Sequence, residues 1–170
     1  MVISPDKPIV LLGFMGSGKT TLGKQLAALL GWIFIDLDRY IETGGNRSIP
    51  EIFEKDGEAT FRKLESNALK EVLKYPRQVI AIGGGAPCNP ANMELIKNHS
   101  TSIYLKISEG ELLQRLSTSL TNRPLLKGKI ESETQTLIRE LLAAREPFYN
   151  QADIIIESDA ITAEMILSKL

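Results

Sequence analysis

Pro8-Ile9-Val10-Leu11-Leu12-Gly13-Phe14-Met15-Gly16-Ser17-Gly18-Lys19-Thr20 is the stretch on which the reading of the whole chain turns. Its first five residues are a short apolar run, the pattern of a buried strand. From Lys19 to Leu30 leucines recur on one helical face (Leu22, Leu26, Leu29, Leu30), and Gly31 stops the helix. Between the two, Gly13 to Thr20 satisfies G-x-x-x-x-G-K-[ST] in the strand–turn–helix setting that the motif requires. Each residue type has a physical reason. Glycines let backbone N–H groups converge on phosphate oxygens, and the following helix adds the partial positive charge of its N-terminus. Lys19 would reach the β- and γ-phosphates, and the Thr20 hydroxyl would ligate Mg²⁺. The stretch predicts a nucleoside triphosphate site made by Gly13, Gly16, Ser17, Gly18, Lys19, Thr20 and Thr21.

Working outward, apolar runs alternate with amphipathic stretches to the end of the chain. Further strands are predicted at residues 32–36, 78–82, 102–107 and 152–157. Ser48 and Glu51 form a capping box with Pro50 in the first turn, so a helix starts there and ends near Gly57, and a second runs over 58–74. Helices are also expected at 89–98, from Ser108 to about Ser117, over 133–149 with Pro147 at a distorted end, and at the C-terminus. Residues 118–133 are polar, contain Pro124, Gly128 and three basic residues, and show no helical period, which predicts a mobile loop. The alternation implies an α/β fold: one three-layer sandwich spanning residues 1–170 around a five-stranded, mainly parallel sheet.

Composition narrows the function. In 170 residues, 20 basic against 21 acidic side chains leave a net charge of −1, which argues against a nucleic-acid or membrane-surface binder that works by bulk charge. A single cysteine, Cys88, excludes a disulfide within the chain and points to a reducing compartment. A single histidine, His99, argues against an imidazole metal site. No apolar run approaches the ~18 residues of a membrane span, and the first eight residues do not read as a signal peptide. The chain is expected to be a cytoplasmic monomer, or a plastid one if a transit peptide had been removed.

Ligands of such sheets sit at the carboxyl ends of the strands. The second strand ends in Asp36-Leu37-Asp38. Residues two apart on a strand share a face, so both carboxylates are expected to point toward the phosphates. Asp36 would hold Mg²⁺ and Asp38 would accept the proton of an acceptor hydroxyl; the alternative for Asp38 is a helix N-cap before Arg39. Arg62 sits in the helix from Glu58 and could pair with that residue as a solvated surface ion pair. The third strand runs into Gly83-Gly84-Gly85, which suits either a close approach to a ligand or an ordinary turn. Arg123 lies in the polar loop and Arg145 on the late helix. Cys88, with no histidine near in sequence, reads as a passive thiol, His99 as a helix-end residue and Trp32 as sheet packing.

Taken in register, the phosphate loop, Asp36-x-Asp38, Phe61-Arg62, Gly83-Gly84-Gly85, Arg123-Pro124-Leu125-Leu126 and Arg145-x-Pro-x-Tyr149 resemble the shikimate kinases over about residues 10–153. That resemblance implies a P-loop fold of the nucleoside-monophosphate-kinase type with a lid over about 118–133. It implies transfer of the γ-phosphoryl of ATP to the 3-hydroxyl of shikimate, with Mg²⁺, in aromatic amino-acid synthesis. It assigns Asp38, Lys19 and Arg123 to catalysis, Arg123 also to ATP, and Thr20 with Asp36 to the metal. It assigns Asp38, Phe53, Phe61, Arg62, Glu65, Gly83, Gly84, Gly85 and Arg145 to shikimate, with Arg62 and Arg145 gripping its carboxylate. Residues 115–122, including Arg115, depart from the family's usual length, so no adenine contact is assigned there. Competing expectations are a kinase for gluconate or a nucleoside monophosphate, and a non-catalytic nucleotide-binding module. A carboxylate such as Asp38 would repel a phosphate acceptor, and lost catalysis predicts damage to Lys19, Asp38 or the arginines, which are all present.

Overall fold

In the computed structural model, which describes residues 7–117 and 131–170, five strands form one sheet in the order β2-β3-β1-β4-β5. They are β1 (Ile9–Leu12), β2 (Ile33–Asp36), β3 (Gln78–Ala81), β4 (Thr101–Lys106) and β5 (Ile154–Glu157). Every pairing is parallel; Leu11 stands opposite Ala81 on one side and Ile103 on the other. The central strands β3 and β1 are buried along their whole length, as continuous apolar runs require when helices cover both faces. The edges are wetter, with Ile33 and Ile155 exposed.

Helix α1 (Lys19–Leu30) packs against β2, β3 and the C-terminal α7 (Ala163–Leu167), while α4 (Pro90–His99) packs on β4, giving the three layers. At Gly23 the α1–sheet contact is so close that a Cβ there would lie 2.5 Å from Cε2 of Phe34 and 3.3 Å from Cδ1 of Leu11. Gly23→Ala should therefore lower stability by about 1–3 kcal/mol despite alanine's better helix propensity, because a ring and a strand must move. A melting temperature equal to or above the parent's would show that the layers can separate freely.

Two stretches differ from expectation. The chain turns helical at Leu37, forming α2 (Leu37–Gly45), so Asp36 and Asp38 do not share a strand face. The N-cap is Asp36, whose side chain accepts from Arg39 N, and Asp38 lies in the first turn of the helix. The signal was Leu37 and Ile41, four apart and both buried. Second, α6 (Glu131–Tyr149) begins within the residues read as loop, so 131–133 are helical; it also continues through Pro147. Residues 118–130, and with them Arg123, lie outside the described residues. The break expected near Gly57 is present. Helix α3 (Ile49–Val72) starts at the Ser48–Glu51 capping box and is interrupted at Gly57, at φ 81° and ψ 168°, a backbone state open essentially to glycine alone.

Candidate active site

The phosphate loop follows β1 in the centre of the sheet. Gly16 and Gly18 have φ of 84° and 89°, which bends the loop back on itself at positions where a Cβ would be strained. Gly18 is the N-cap of α1 and offers no side chain, and the first turn carries no acidic residue. The first N–H groups of α1 have no intrahelical acceptor and the helix dipole adds to their charge, the arrangement that binds anions. Lys19 Nζ donates to the carbonyls of Gly13 and Phe14, both at 2.8 Å, spanning the loop it belongs to. The Thr20 hydroxyl donates to Asp36 Oδ2 at 2.9 Å. Thus two hard oxygen donors, brought together from α1 and the end of β2, stand beside the phosphate loop.

A cavity of about 490 Å³ opens here, lined by the loop, Thr20, Thr21, Asp36, Asp38, Gly83, Gly84 and Arg115. Asp36 and Asp38 therefore face one space after all, but through a helical turn rather than a strand. Burial, and after it the charge of Asp36, holds the Asp38 carboxyl above its ordinary value; Lys19 pulls the other way and does not prevail.

The triple glycine after β3 is where the acceptor-side residues gather. A Cβ built on Gly83 would lie 3.2 Å from Asp38 Oδ1 and 3.4 Å from Glu65 Oε1. One on Gly84 would lie 3.3 Å from Arg145 Nη1, and one on Gly85 3.0 Å from both terminal nitrogens of Arg62. The glycines are present for space, each backing at least one charged side chain. An ordinary turn would not require that of three successive positions.

Arg62 is more than a surface ion pair. Its Nε and Nη2 donate to Glu58 Oε1 at 3.3 and 3.2 Å, and its Nη1 donates to Glu65 Oε2 at 2.8 Å. Five N–H groups are available to a guanidinium, so one on each terminal nitrogen stays open to a ligand. Glu65 is only 1% exposed; burial raises its pKa, and the bond from Arg62 opposes that rise. Phe61 is buried beneath, its ring centre 5.2 Å from the guanidinium carbon and packed at 4.8 Å, tilted by 35°, against the exposed ring of Phe53 from the other side of the Gly57 break. Phe53, Phe61, Arg62, Glu65 and Arg145 do not line this cavity; Arg62, Glu65 and Arg145 stand around the glycine turn, and the two phenylalanines lie beside Arg62.

The family model for shikimate kinase matches residues 15–170. The chain belongs to the shikimate kinase family. It is 44% identical to the shikimate kinase of Parabacteroides distasonis over 158 residues, covering 93% of this chain and 91% of that one. The crystal structure of shikimate kinase from Bacteroides thetaiotaomicron superposes with a TM-score of 0.89 at 40% identity, covering 96% and 95% of the two chains. Shikimate kinase from Acinetobacter baumannii in complex with shikimate gives 0.86 at 38% identity, over 96% and 89%. ATP is the co-substrate of the shikimate kinases.

Two residues next to this site were not assigned from sequence. Arg115 lines the cavity, and its Nη1 donates to the Gly16 carbonyl at 3.3 Å and its Nη2 to the Asp159 carbonyl at 2.6 Å. Its Nε pairs with Glu111, and the i, i+4 spacing was the only local hint. Tyr149 reaches Gly84 from α6. Cys88 sits in a short 3-10 turn (Ala86–Cys88) behind the glycines, and burial pushes its thiol upward, in keeping with a passive role. Among the described residues no helix is long and apolar enough to cross a membrane.

Proposed function

We propose that the protein transfers the γ-phosphoryl group of ATP to the 3-hydroxyl of shikimate, giving shikimate 3-phosphate and ADP, as one domain acting in the cytoplasm. The observation that carries this reading is the convergence of Asp38, Arg145 and Arg62 on Gly83, Gly84 and Gly85, beside the phosphate loop. Gly13, Gly16, Ser17, Gly18, Lys19, Thr20 and Thr21 would cradle the nucleotide phosphates. Asp38 would accept the proton of the attacking hydroxyl as its oxygen bonds to the γ-phosphorus and ADP departs. A carboxyl held above its usual pKa is a better proton acceptor than a solvated one. Arg62 and Arg145 would hold the acceptor's carboxylate in forked hydrogen bonds, with Glu65 fixing Arg62 and the Phe53–Phe61 stack bordering the ring. Arg123 would close on ATP from the lid.

Thr20 and Asp36 are the residues that would hold Mg²⁺. Their hydroxyl and carboxylate are hard donors already in contact, and Mg²⁺ characteristically takes one or two protein oxygens and completes its shell with water and phosphate. The ion would supply charge against that of the phosphates.

A coupled ADP-release assay with shikimate, gluconate and nucleoside monophosphates tests the reading; turnover of a monophosphate with none of shikimate would sink it. The clamp has its own test. Arg62→Lys and Arg145→Lys keep the charge and lose the fork, so shikimate affinity should fall about tenfold or more while ATP affinity barely changes. Arg123→Lys should instead alter kcat and the apparent ATP affinity. Calorimetric titration of each variant with both ligands separates the two classes.

A further inference from the structure

The glycine turn and α6 meet at one buried hydroxyl. Tyr149 has no exposed surface, and its Oη donates to the Gly84 carbonyl at 2.6 Å, across 65 residues of sequence. A Cβ on Gly84 would lie 3.1 Å from that hydroxyl, 3.3 Å from Arg145 Nη1 and 3.3 Å from the Gly13 carbonyl. Gly84 is thus the point where phosphate loop, acceptor-side turn and α6 come together. Arg145 and Tyr149 are four apart on α6 and share a face. The Arg145 guanidinium carbon lies 5.6 Å from the ring of Phe14, a buried residue of the phosphate loop. The Tyr149 ring rests on Tyr104 of β4 at 5.1 Å, so the sheet fixes where the hydroxyl can be. Burial holds the Tyr149 phenol far above its ordinary range although Arg145 pulls it back, and the hydroxyl remains a donor at any working pH.

We propose that Tyr149 is a positioning residue of the acceptor site: its hydroxyl anchors the Gly84 carbonyl and thereby sets Arg145 against the turn, between that hydroxyl and Phe14. This rests on the shikimate reading above, with Arg145 as part of the carboxylate clamp. Without the hydroxyl, Gly84 and Arg145 gain freedom on the acceptor side, while the P-loop N–H groups keep their places.

Tyr149→Phe removes the hydroxyl and keeps the ring and its stack. The KM for shikimate should rise about five- to tenfold, the effect of one lost hydrogen bond, with the KM for ATP within about twofold of the parent's. Tyr104→Phe removes the hydroxyl from the partner ring and should leave both KM values near the parent's. In an Arg145→Lys background, Tyr149→Phe should add clearly less than it does alone, because it acts through Arg145. A shikimate KM unchanged by Tyr149→Phe, both KM values rising in step, or full additivity with Arg145→Lys would overturn the proposal. The parent protein in the same assay separates the two readings. If it does not turn over shikimate, the function itself is wrong; if it does and Tyr149→Phe behaves like it, only this inference falls.

Discussion

Asp38→Asn is expected to lower kcat by at least about a hundredfold and, in the same variant, to raise the melting temperature. The first effect follows because an amide cannot take the hydroxyl proton. The second follows from the sign of the pKa shift. The Asp38 carboxyl is raised by burial first and by Asp36 next, more than Lys19 lowers it, so the folded protein favours its neutral form. Between the unfolded and folded pKa the native state holds more protons, and stability falls as pH rises through that window. Above that window the charged side chain is a net cost to the fold, and a neutral isostere removes it. The same shift sets the pH profile. Activity should fall on acidification through a pKa above the ordinary value of 3.8, and that acid limb should vanish with the substitution. Full activity in Asp38→Asn would end its assignment as the base, and an unchanged or lower melting temperature would show that its ionised form is well accommodated.

Lys19→Ala should cost a comparable factor, ~10²–10³ in kcat, through the loss of charge where negative charge concentrates in transfer. Its ammonium also bridges the Gly13 and Phe14 carbonyls at 2.8 Å, so the loop itself should loosen and ATP should bind more weakly. Shikimate binding without nucleotide should suffer less than ATP binding, because the ammonium's bonds to Gly13 and Phe14 hold the phosphate loop. Calorimetry with each ligand alone, and circular dichroism to confirm the fold, check this. A kcat within about tenfold of the parent's would contradict the role given to the lysine.

How much of this was readable from the chain depends on whether the signal was local. The apolar runs placed all five strands within two residues, because a buried parallel strand has little freedom of composition. Helix α2 entered only as the alternative N-cap at Asp38, two residues late, because β2 passes into it with no connecting residues and Asp36-Leu37-Asp38 reads equally well as strand end or as first turn. The pairing of Arg62 with Glu58 followed from helical spacing, but nothing local said that Glu65, three residues on, is almost wholly buried. The Tyr149–Gly84 bond joins elements far apart in sequence and only the tertiary packing creates it. The resemblance supplied what periodicity could not: which of many surface-capable arginines, Arg62 and Arg145, come to the glycine turn.

The three glycines after β3 also act as a ruler. Gly83 backs Asp38 and Gly85 backs Arg62, so the group that would take the hydroxyl proton and one that would grip the carboxylate are offset by two residues of backbone. Two residues span at most about 7 Å when fully extended, and less in a turn. A six-membered ring with its acid and its reacting hydroxyl in a 1,3 relation would present both groups to one short turn. What such a turn would measure is the interval between two functional groups, with the bulk of the rest of the molecule left to the rim.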